Sequence, residues 1–505
     1  MKKVLLTPDN AEQYASYLRD ESRLCGCAAE LAFPSDPEEL SEYLRKEYDA
    51  GHPVVIQGAR TGVSGGAVPT DPKSRVIVLE EMAKSEDVEK TSDGAFLWCE
   101  PGLRLFDLRR IAAKSHLTFL PDPSEDTATI GGIIANSATG MNGRCAGRTG
   151  DHLQAVKVLL TDGTILTLQR GEHFLRADGF TLPDGKTCTF TEPLPEVPRL
   201  PVLPHAGEDL VDLFAGSEGA YGILTGLRLK LVPEDAACWG IWFFFSSAAD
   251  ALRCTDLIRA HHAPDTSGAI RALDYLDGGS LAAAEEARAN SSRLEGLPAL
   301  PENTGAAVYL ELAGDSEEAV EEILAELAEL LESDGFDIDK SWTASDRDSI
   351  ERFRAYRHAV PEQSGLRVDR LRAETPGLRL SALDLGCPAE AFSGTVSYLR
   401  EKFSSLRIQG FLFGHAIDGR IHLTLLPKNE EELAAADELF RQLAGGSTSE
   451  ADSAPRLIPA VENGVGRLRA NLFAGALSPA EYASLRALKD FFDPKGLLNP
   501  GSFLR

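Results

Sequence analysis

Residues 57–69 read QGARTGVSGGAVP. They follow HPVVIQ at 52–57, a β-branched run that reads as a strand ended by turn residues. Glycine takes positive φ without steric cost, so a run of glycines and small residues can turn successive N–H groups toward one anion. A pyrophosphate suits such a loop; the bland alternative is a mobile surface turn. The stretch is not a P-loop, since no GK[ST] follows, and it lacks the G-x-G-x-x-G dinucleotide spacing. It does not stand alone. Residues 121–140 read PDPSEDTATIGGIIANSATG and residues 216–225 read GSEGAYGILT. Three glycine-rich segments with strands between them argue for one extended ligand, touched by backbone from several places.

Outward from these loops, 75–79 reads as a strand, 104–115 as a helix, and 155–160 and 164–168 as a hairpin about Asp162-Gly163. Residues 171–210, rich in Pro, Gly, Asp and Glu, read as a surface excursion. A strand at 227–232 ends this half. Beyond about 234 the pattern changes. Residues 306–313 are strand-like, and 316–331 form an amphipathic helix with Ser316 as N-cap. Strands follow at 378–386, 408–413 and 420–425, with helices at 389–403 and 478–492. This is an α+β layer, expected as an antiparallel sheet with helices on one face. The 505 residues exceed one core. The expected domains are 1–233, 234–460 and a returning segment 461–505.

Asp and Glu number 78 against 51 Lys and Arg, a net charge of -27, which repels nucleic acid and anionic membranes. An anionic substrate remains compatible with a local basic pocket. No run of eighteen apolar residues is present, and the apolar run in MKKVLLTPDN is too short for a signal peptide. Eight cysteines without regular spacing suit a reducing cytoplasm, the expected location, and form no four-cysteine cluster for an iron–sulfur centre.

The loop at 57–69, TIGGIIANSATG at 129–140, GSEGAYGILT and the terminal LNPG at 498–501, in this order, resemble the FAD-binding pattern of the vanillyl-alcohol oxidase / p-cresol methylhydroxylase flavoproteins. The closer likeness is to the FAD-dependent D-2-hydroxy-acid dehydrogenases. The resemblance implies a PCMH-type FAD-binding domain of two subdomains and a ferredoxin-like antiparallel-sheet cap domain. It assigns the FAD pyrophosphate to Gln57, Gly58, Ala59, Arg60, Thr61, Gly62 and Ser64. Arg60 either adds charge to a phosphate or points to solvent. The ribityl and isoalloxazine fall to Pro121, Asp122, Ser124, Thr129, Gly131, Gly132, Ser137 and Ala138. The family usually has Asn-Ala-Gly-Gly where Ser137-Ala138-Thr139-Gly140 stand, so that match is partial. Thr149 and Asp151 fit the family's T-x-D, without its preceding tyrosine. Glu218, Gly222 and Ile223 fall on the adenosine side, and Asn499 is a late flavin contact. The loop holds no histidine, which implies non-covalent FAD.

Residues 414–422 read GHAIDGRIH, with His415 and His422 seven positions apart. A turn between strands can bring both rings to one point, either as metal ligands or as satisfied turn residues. The stretch resembles the family's G-H-x-x-D-G-x-x-H, which implies a divalent metal, commonly zinc, on His415, His422 and Glu462. Two imidazoles and a carboxylate suit Zn²⁺ with a position open to substrate.

The run VENGVG at 461–466 places Asn463 where the family's base histidine stands. An amide takes no proton near neutral pH. Three readings stay open: a metal-bound hydroxyl loses its proton elsewhere, His358 substitutes, or catalysis is weak. Arg357, in ERFRAYRHAVPE, resembles a substrate-facing arginine and equally suits a solvated helix position. Asp384 fits a family aspartate, but Ala382 replaces its companion lysine; Arg379 lies near. The expected function is oxidation of a small D-2-hydroxy acid by hydride transfer to flavin, metal-assisted, with Arg357, His415, His422, Glu462 and Asn463 around the substrate. Electrons would pass to an external quinone, flavoprotein or iron–sulfur partner, and a homodimer is the expected assembly. The alternatives are a flavin subunit without turnover and an enzyme like alkyl-dihydroxyacetone-phosphate synthase.

Overall fold

The computed structural model describes residues 1–197, 203–261, 270–444, 457–459 and 462–504. The chain divides into two compact units, one of residues 1–139, 148–234 and 460–505, the other of residues 140–147 and 235–459.

In the first unit, four strands form a sheet in the order Lys2–Leu5, Glu30–Phe33, Arg75–Val78, Val54–Gln57. The last three run parallel. Parallel neighbours need a crossover, which the helix Pro37–Asp49 supplies. Asp36 caps it by accepting from Glu39 N, Pro37 opens it, and Leu40, Tyr43, Leu44 and Tyr48 are its buried face. The chain end extends this sheet: Val54 N donates to Leu497 O and Asn499 N to Val54 O, each at 2.7 Å. A second sheet carries Glu89–Thr91, Gly94–Cys99, Ile223–Pro233, Leu153–Leu159 and Ile165–Gln169 in that order, all antiparallel, with Leu117–Thr118 on the end of Ile223–Pro233. The hairpin at Asp162-Gly163 forms as expected, with Gly163 at φ 85°.

The segment 171–210 is more than a surface excursion. It forms the small hairpin Gly179–Thr181 with Thr187–Thr189 and buries Leu175, Phe180, Leu182, Cys188, Leu194 and Leu210. Phe180 stacks on Phe492 at 6.0 Å and meets Phe491 edge-on at 5.4 Å. Its Pro/Gly/Asp content hid a dispersed apolar set that packs on the last helix, Pro479–Phe492. Residues 198–202 of this expected excursion lie outside the described residues.

The second unit is built on eight antiparallel strands in the order Trp342–Ala344, Ala237–Phe245, Ala306–Gly314, Ile270–Asp277, Gly410–His415, Arg420–Leu425, Ser381–Gly386, Ile458–Pro459. Helices cover both faces, which corrects the one-sided expectation. Tyr275 and Asp274 are adjacent in one strand and so point to opposite faces. Tyr275 meets Phe392 and Arg400 of the helix Phe392–Ser405, while Asp274 meets Arg357 of the helix Arg347–Arg372. A sheet buried on both faces reads as continuous apolar runs, such as ACWGIWFFF at 237–245.

Asp20, buried in the first unit, offers a stability test. Burial raises its carboxyl, hydrogen bonds from Ser22 pull it partly back, and it settles at about 6. A folded pKa above the unfolded value contributes stability that is full below about pH 4 and lost as pH rises through about 6. Asp20→Asn is therefore expected to gain about 1–3 kcal/mol at pH 8 and little at pH 4. Urea unfolding at the two pH values checks it; equal effects at both would contradict it.

Candidate functional site

The glycine segments of the first unit converge. Gln57 is fully buried, and its Nε2 donates to the carbonyls of Tyr17 (2.9 Å) and Ala67 (2.7 Å). This pins both ends of the loop and leaves Gly58, Ala59, Arg60, Thr61 and Gly62 partly exposed, with Ser64 buried again. A Cβ on Gly58 would lie 2.1 Å from Thr129 Oγ1, so only glycine lets the loop rest on that side chain. Thr129 caps the short helix Ile130–Ala135 through Gly132 N. Gly131 lies against Pro101, where a Cβ would come within 2.5 Å. Arg60, at φ 61°, is held at the surface: it pairs with Glu80 at 2.8 Å and lies over the Tyr17 ring. Pro121 is buried, Asp122 is buried and paired with Arg109, and Ser124 is exposed. Ser137 takes φ 51°, and the next residue, Ala138, accepts from Thr149 N at 3.0 Å. Asp151 caps its own turn by accepting from Arg148 N.

Glu218 joins its own turn to two later segments of the chain. Its Oε1 accepts from Val465 N at 2.5 Å; its Oε2 accepts from Gly466 N and Ser502 Oγ, both at 2.8 Å. Its carbonyl accepts from Asn499 Nδ2, and Asn499 Oδ1 accepts from Ile56 N at 3.2 Å. Asn499 is therefore a brace between the chain end, the 218 turn and the strand before the glycine loop. Burial raises the Glu218 carboxyl, against the pull of its three donors. Gly222 stands at φ 148° with Val158 where a Cβ would be, and Ile223 opens the long strand beyond it. Glu462 is buried and Asn463 partly so, two residues and one before Gly464 in this unit; Val461 lies outside the described residues.

In the second unit, strand register gathers a polar cluster. Asp274 pairs across strands with His415, and His415 with Arg420; Phe413 pairs with His422, and His422 with Asp384. Cross-strand partners share a face, and so do positions two apart, so all six side chains point to one side. His415 Nδ1 lies 2.6 Å from Asp274 Oδ1, and Arg357 Nε donates to Asp274 Oδ2 at 2.7 Å. Arg357 Nη2 approaches His415 Nε2 at 3.5 Å, and its guanidinium lies over the Phe413 ring. Phe413 in turn stacks on His422 at 4.9 Å. The two imidazoles stand 5.5 Å apart between centroids and nearly perpendicular. Burial would raise the Asp274 carboxyl, but His415 and Arg357 beside it reverse this and hold it at about 2.

Arg357 is thus buried, not solvated. His358 follows it in the helix, about 100° round, and is partly buried. Arg379, near the alanine that stands at the lysine position, is paired with Asp437 at 2.5 Å. Asp274 and Phe413 escaped the sequence reading. A signal existed for Asp274: RALDYLD sets a charge inside an apolar strand, and a charge so placed needs a partner. The His415/His422 pair fits the nitrogen half of a divalent-metal site, because an imidazole held at Nδ1 by a carboxylate presents Nε2. Among the described residues, no helix is long and apolar enough to cross a membrane.

Residues 28–169 match the family model of an FAD binding domain, and residues 241–503 match that of the FAD linked oxidases, C-terminal domain. A D-lactate dehydrogenase of Anaerostipes hadrus is 26% identical over 511 residues, covering 99% of this chain and 94% of that protein. Glycolate oxidase subunit GlcD of Escherichia coli is 27% identical, covering 93% and 82% respectively. A solved alkyldihydroxyacetonephosphate synthase superposes with TM-score 0.60 at 13% identity, covering 94% of this chain and 76% of that one, a likeness of fold.

Proposed function

Since the chain belongs to the FAD-linked oxidase family of flavoprotein oxidoreductases, we propose that it oxidises a small D-2-hydroxy acid to the 2-oxo acid. The observation that carries this reading is the buried Asp274–His415–Arg357 set, which holds a guanidinium and an imidazole side by side, as an anionic hydroxy acid requires. The relatives named D-lactate dehydrogenase and glycolate oxidase support the substrate class. In this reading, residues 1–233 are the PCMH-type FAD-binding domain, 234–460 the ferredoxin-like cap and 461–505 a segment returning to the flavin.

Bound FAD supplies the hydride acceptor, held non-covalently, and a bound divalent ion, zinc by ligand type, supplies Lewis acidity. The loop at 57–64 with Thr129, Gly131, Gly132, Ser137, Ala138, Thr149 and Glu218 forms the FAD cradle. His415 and His422 hold the ion by their ring nitrogens, and Glu462 gives the carboxylate ligand. Arg357 grips the substrate carboxylate, which orients the α-hydrogen and excludes water from the charge. Asn463 would hydrogen-bond without taking the hydroxyl proton, so that proton would leave to water. An external carrier would accept the electrons from the flavin.

Anaerobic titration of the purified flavoprotein with D- and L-2-hydroxy acids tests the proposal. Bleaching of the flavin by D-lactate or glycolate, and not by L-lactate, is the expected result. Bleaching by none of them supports a flavin subunit without turnover, the reading that Asn463 favours. Protein that stays colourless when offered FAD overturns both.

A further inference from the structure

Resting on the function just proposed, we infer that Asp274 is the positioning residue of the site: one buried carboxylate fixes both the imidazole of His415 and the guanidinium of Arg357. Asp274 is fully buried, between Leu273 and Tyr275, which are also fully buried. A carboxylate there is tolerated only when both oxygens are satisfied. They are satisfied by different elements: Oδ1 by His415 of one strand, Oδ2 by Arg357 of a helix. With Nδ1 committed to the carboxylate, His415 carries its lone pair on Nε2.

A neighbouring pair in the same unit shows what a structural clamp looks like. Arg354, one helical turn before Arg357, grips buried Glu311 with two nitrogens, Nε at 2.8 Å and Nη2 at 2.5 Å, and Tyr309 completes that carboxylate. Its fork is closed on its partner. Arg357 gives Asp274 only Nε, and its Nη2 turns to His415 Nε2. Asp274 therefore holds a guanidinium and an imidazole side by side, whereas Arg354 and Glu311 close on each other between helix and sheet. Phe413 supports the arrangement, with Arg357 over its ring and His422 stacked against it.

The test uses the full-length flavoprotein, zinc alone in competition with a chelator, and D-lactate turnover with a dye. In Asp274→Asn, the one oxygen accepts from one of the two donors while the NH₂ is set against the other. Zinc is expected to bind about 10–100-fold more weakly with FAD content unchanged, and KM for D-lactate to rise about tenfold or more with a smaller change in kcat. Zinc affinity and KM both within about twofold of wild type would overturn the inference. Should Asp274→Asn not fold, Asp274→Glu decides: it keeps the charge but displaces it by a methylene, so it is expected to weaken zinc measurably, and wild-type affinity would overturn the inference. If the wild type bleaches with D-lactate but takes no zinc, the metal half of the proposed function fails and KM alone judges Asp274. If it does neither, the proposed function falls and this inference with it. If it does both and Asp274→Asn matches it, this inference alone is wrong.

Discussion

Replacing Arg357 with methionine is expected to lower kcat/KM for D-lactate by about 10²–10³-fold, chiefly through KM, and to destabilise the second unit by about 3–5 kcal/mol. The two effects have separate origins. The kinetic loss comes from the substrate carboxylate, which in the proposed reading meets the guanidinium in both ground and transition states; such uniform binding appears in KM. The stability loss comes from Asp274, which would remain buried with His415 as its one partner of the two it has. Removing one member of a buried ion pair costs more than the pair itself contributes, because a charge is stranded. Steady-state kinetics and urea unfolding of the same preparation separate them. A variant that loses stability but keeps kcat/KM within about threefold would make Arg357 a clamp for Asp274 and nothing more.

The same substitution should change the acid limb of stability. A carboxyl held at about 2, below its unfolded value, contributes stability that is present above about pH 4 and lost as pH falls toward about 2. Without Arg357, one of the two groups opposing burial is gone and the Asp274 pKa moves up. Acid unfolding of the variant is therefore expected to begin at higher pH than in the wild type.

How much of this was legible from residues alone depended on whether the signal was local. Glycine loops declare themselves, because positive φ and close backbone approach need glycine at fixed places: Gly58 against Thr129 and Gly131 against Pro101 are both visible as sequence. Helix ends were legible for the same reason. Ser316 caps its helix as expected, and Ser478 with Glu481 forms a capping box. What escaped was long-range. The helix Arg347–Arg372 has an apolar stripe at Ile350, Phe353, Val360 and Val368, with Arg357 on the same line. Charges on the remaining faces and an internal Pro361 masked it, so an arginine aimed at the core passed for a solvated one. Asp274 was out of reach for a related reason. The chain places it 141 positions from His415, and only the antiparallel register of two strands brings them together. Helices on both faces of the eight-stranded sheet were equally hidden, since apolar runs in doubly buried strands lack the alternation that identifies a half-exposed sheet.

The second large effect expected lies in the first unit. Glu218→Gln should cost about 2–4 kcal/mol in urea unfolding. The carboxylate accepts three hydrogen bonds from positions 465, 466 and 502, far along the chain, while its own backbone sits at φ 51° and is held by Asn499. Glutamine keeps one oxygen. Its NH₂ must then face the amide of Val465 or the two donors on the other side, leaving at least one buried donor unpaired at about 1–3 kcal/mol. Little room exists to adjust, because Gly464 and Gly466 hold left-handed φ with Glu218 and Ser64 where a Cβ would sit. The pH dependence has a definite sign. Burial raises the Glu218 carboxyl, so its contribution to stability is greatest at acid pH and declines as pH rises through that raised value. Glutamine does not titrate, so the gap between wild type and variant should be widest on the acid side and narrow as pH rises. A gap that widens with pH would mean that the three donors outweigh burial and that the carboxylate is held ionised. FAD release from the variant would follow its unfolding if Glu218 acts only by joining the three segments, and would precede it if the turn itself touches the cofactor.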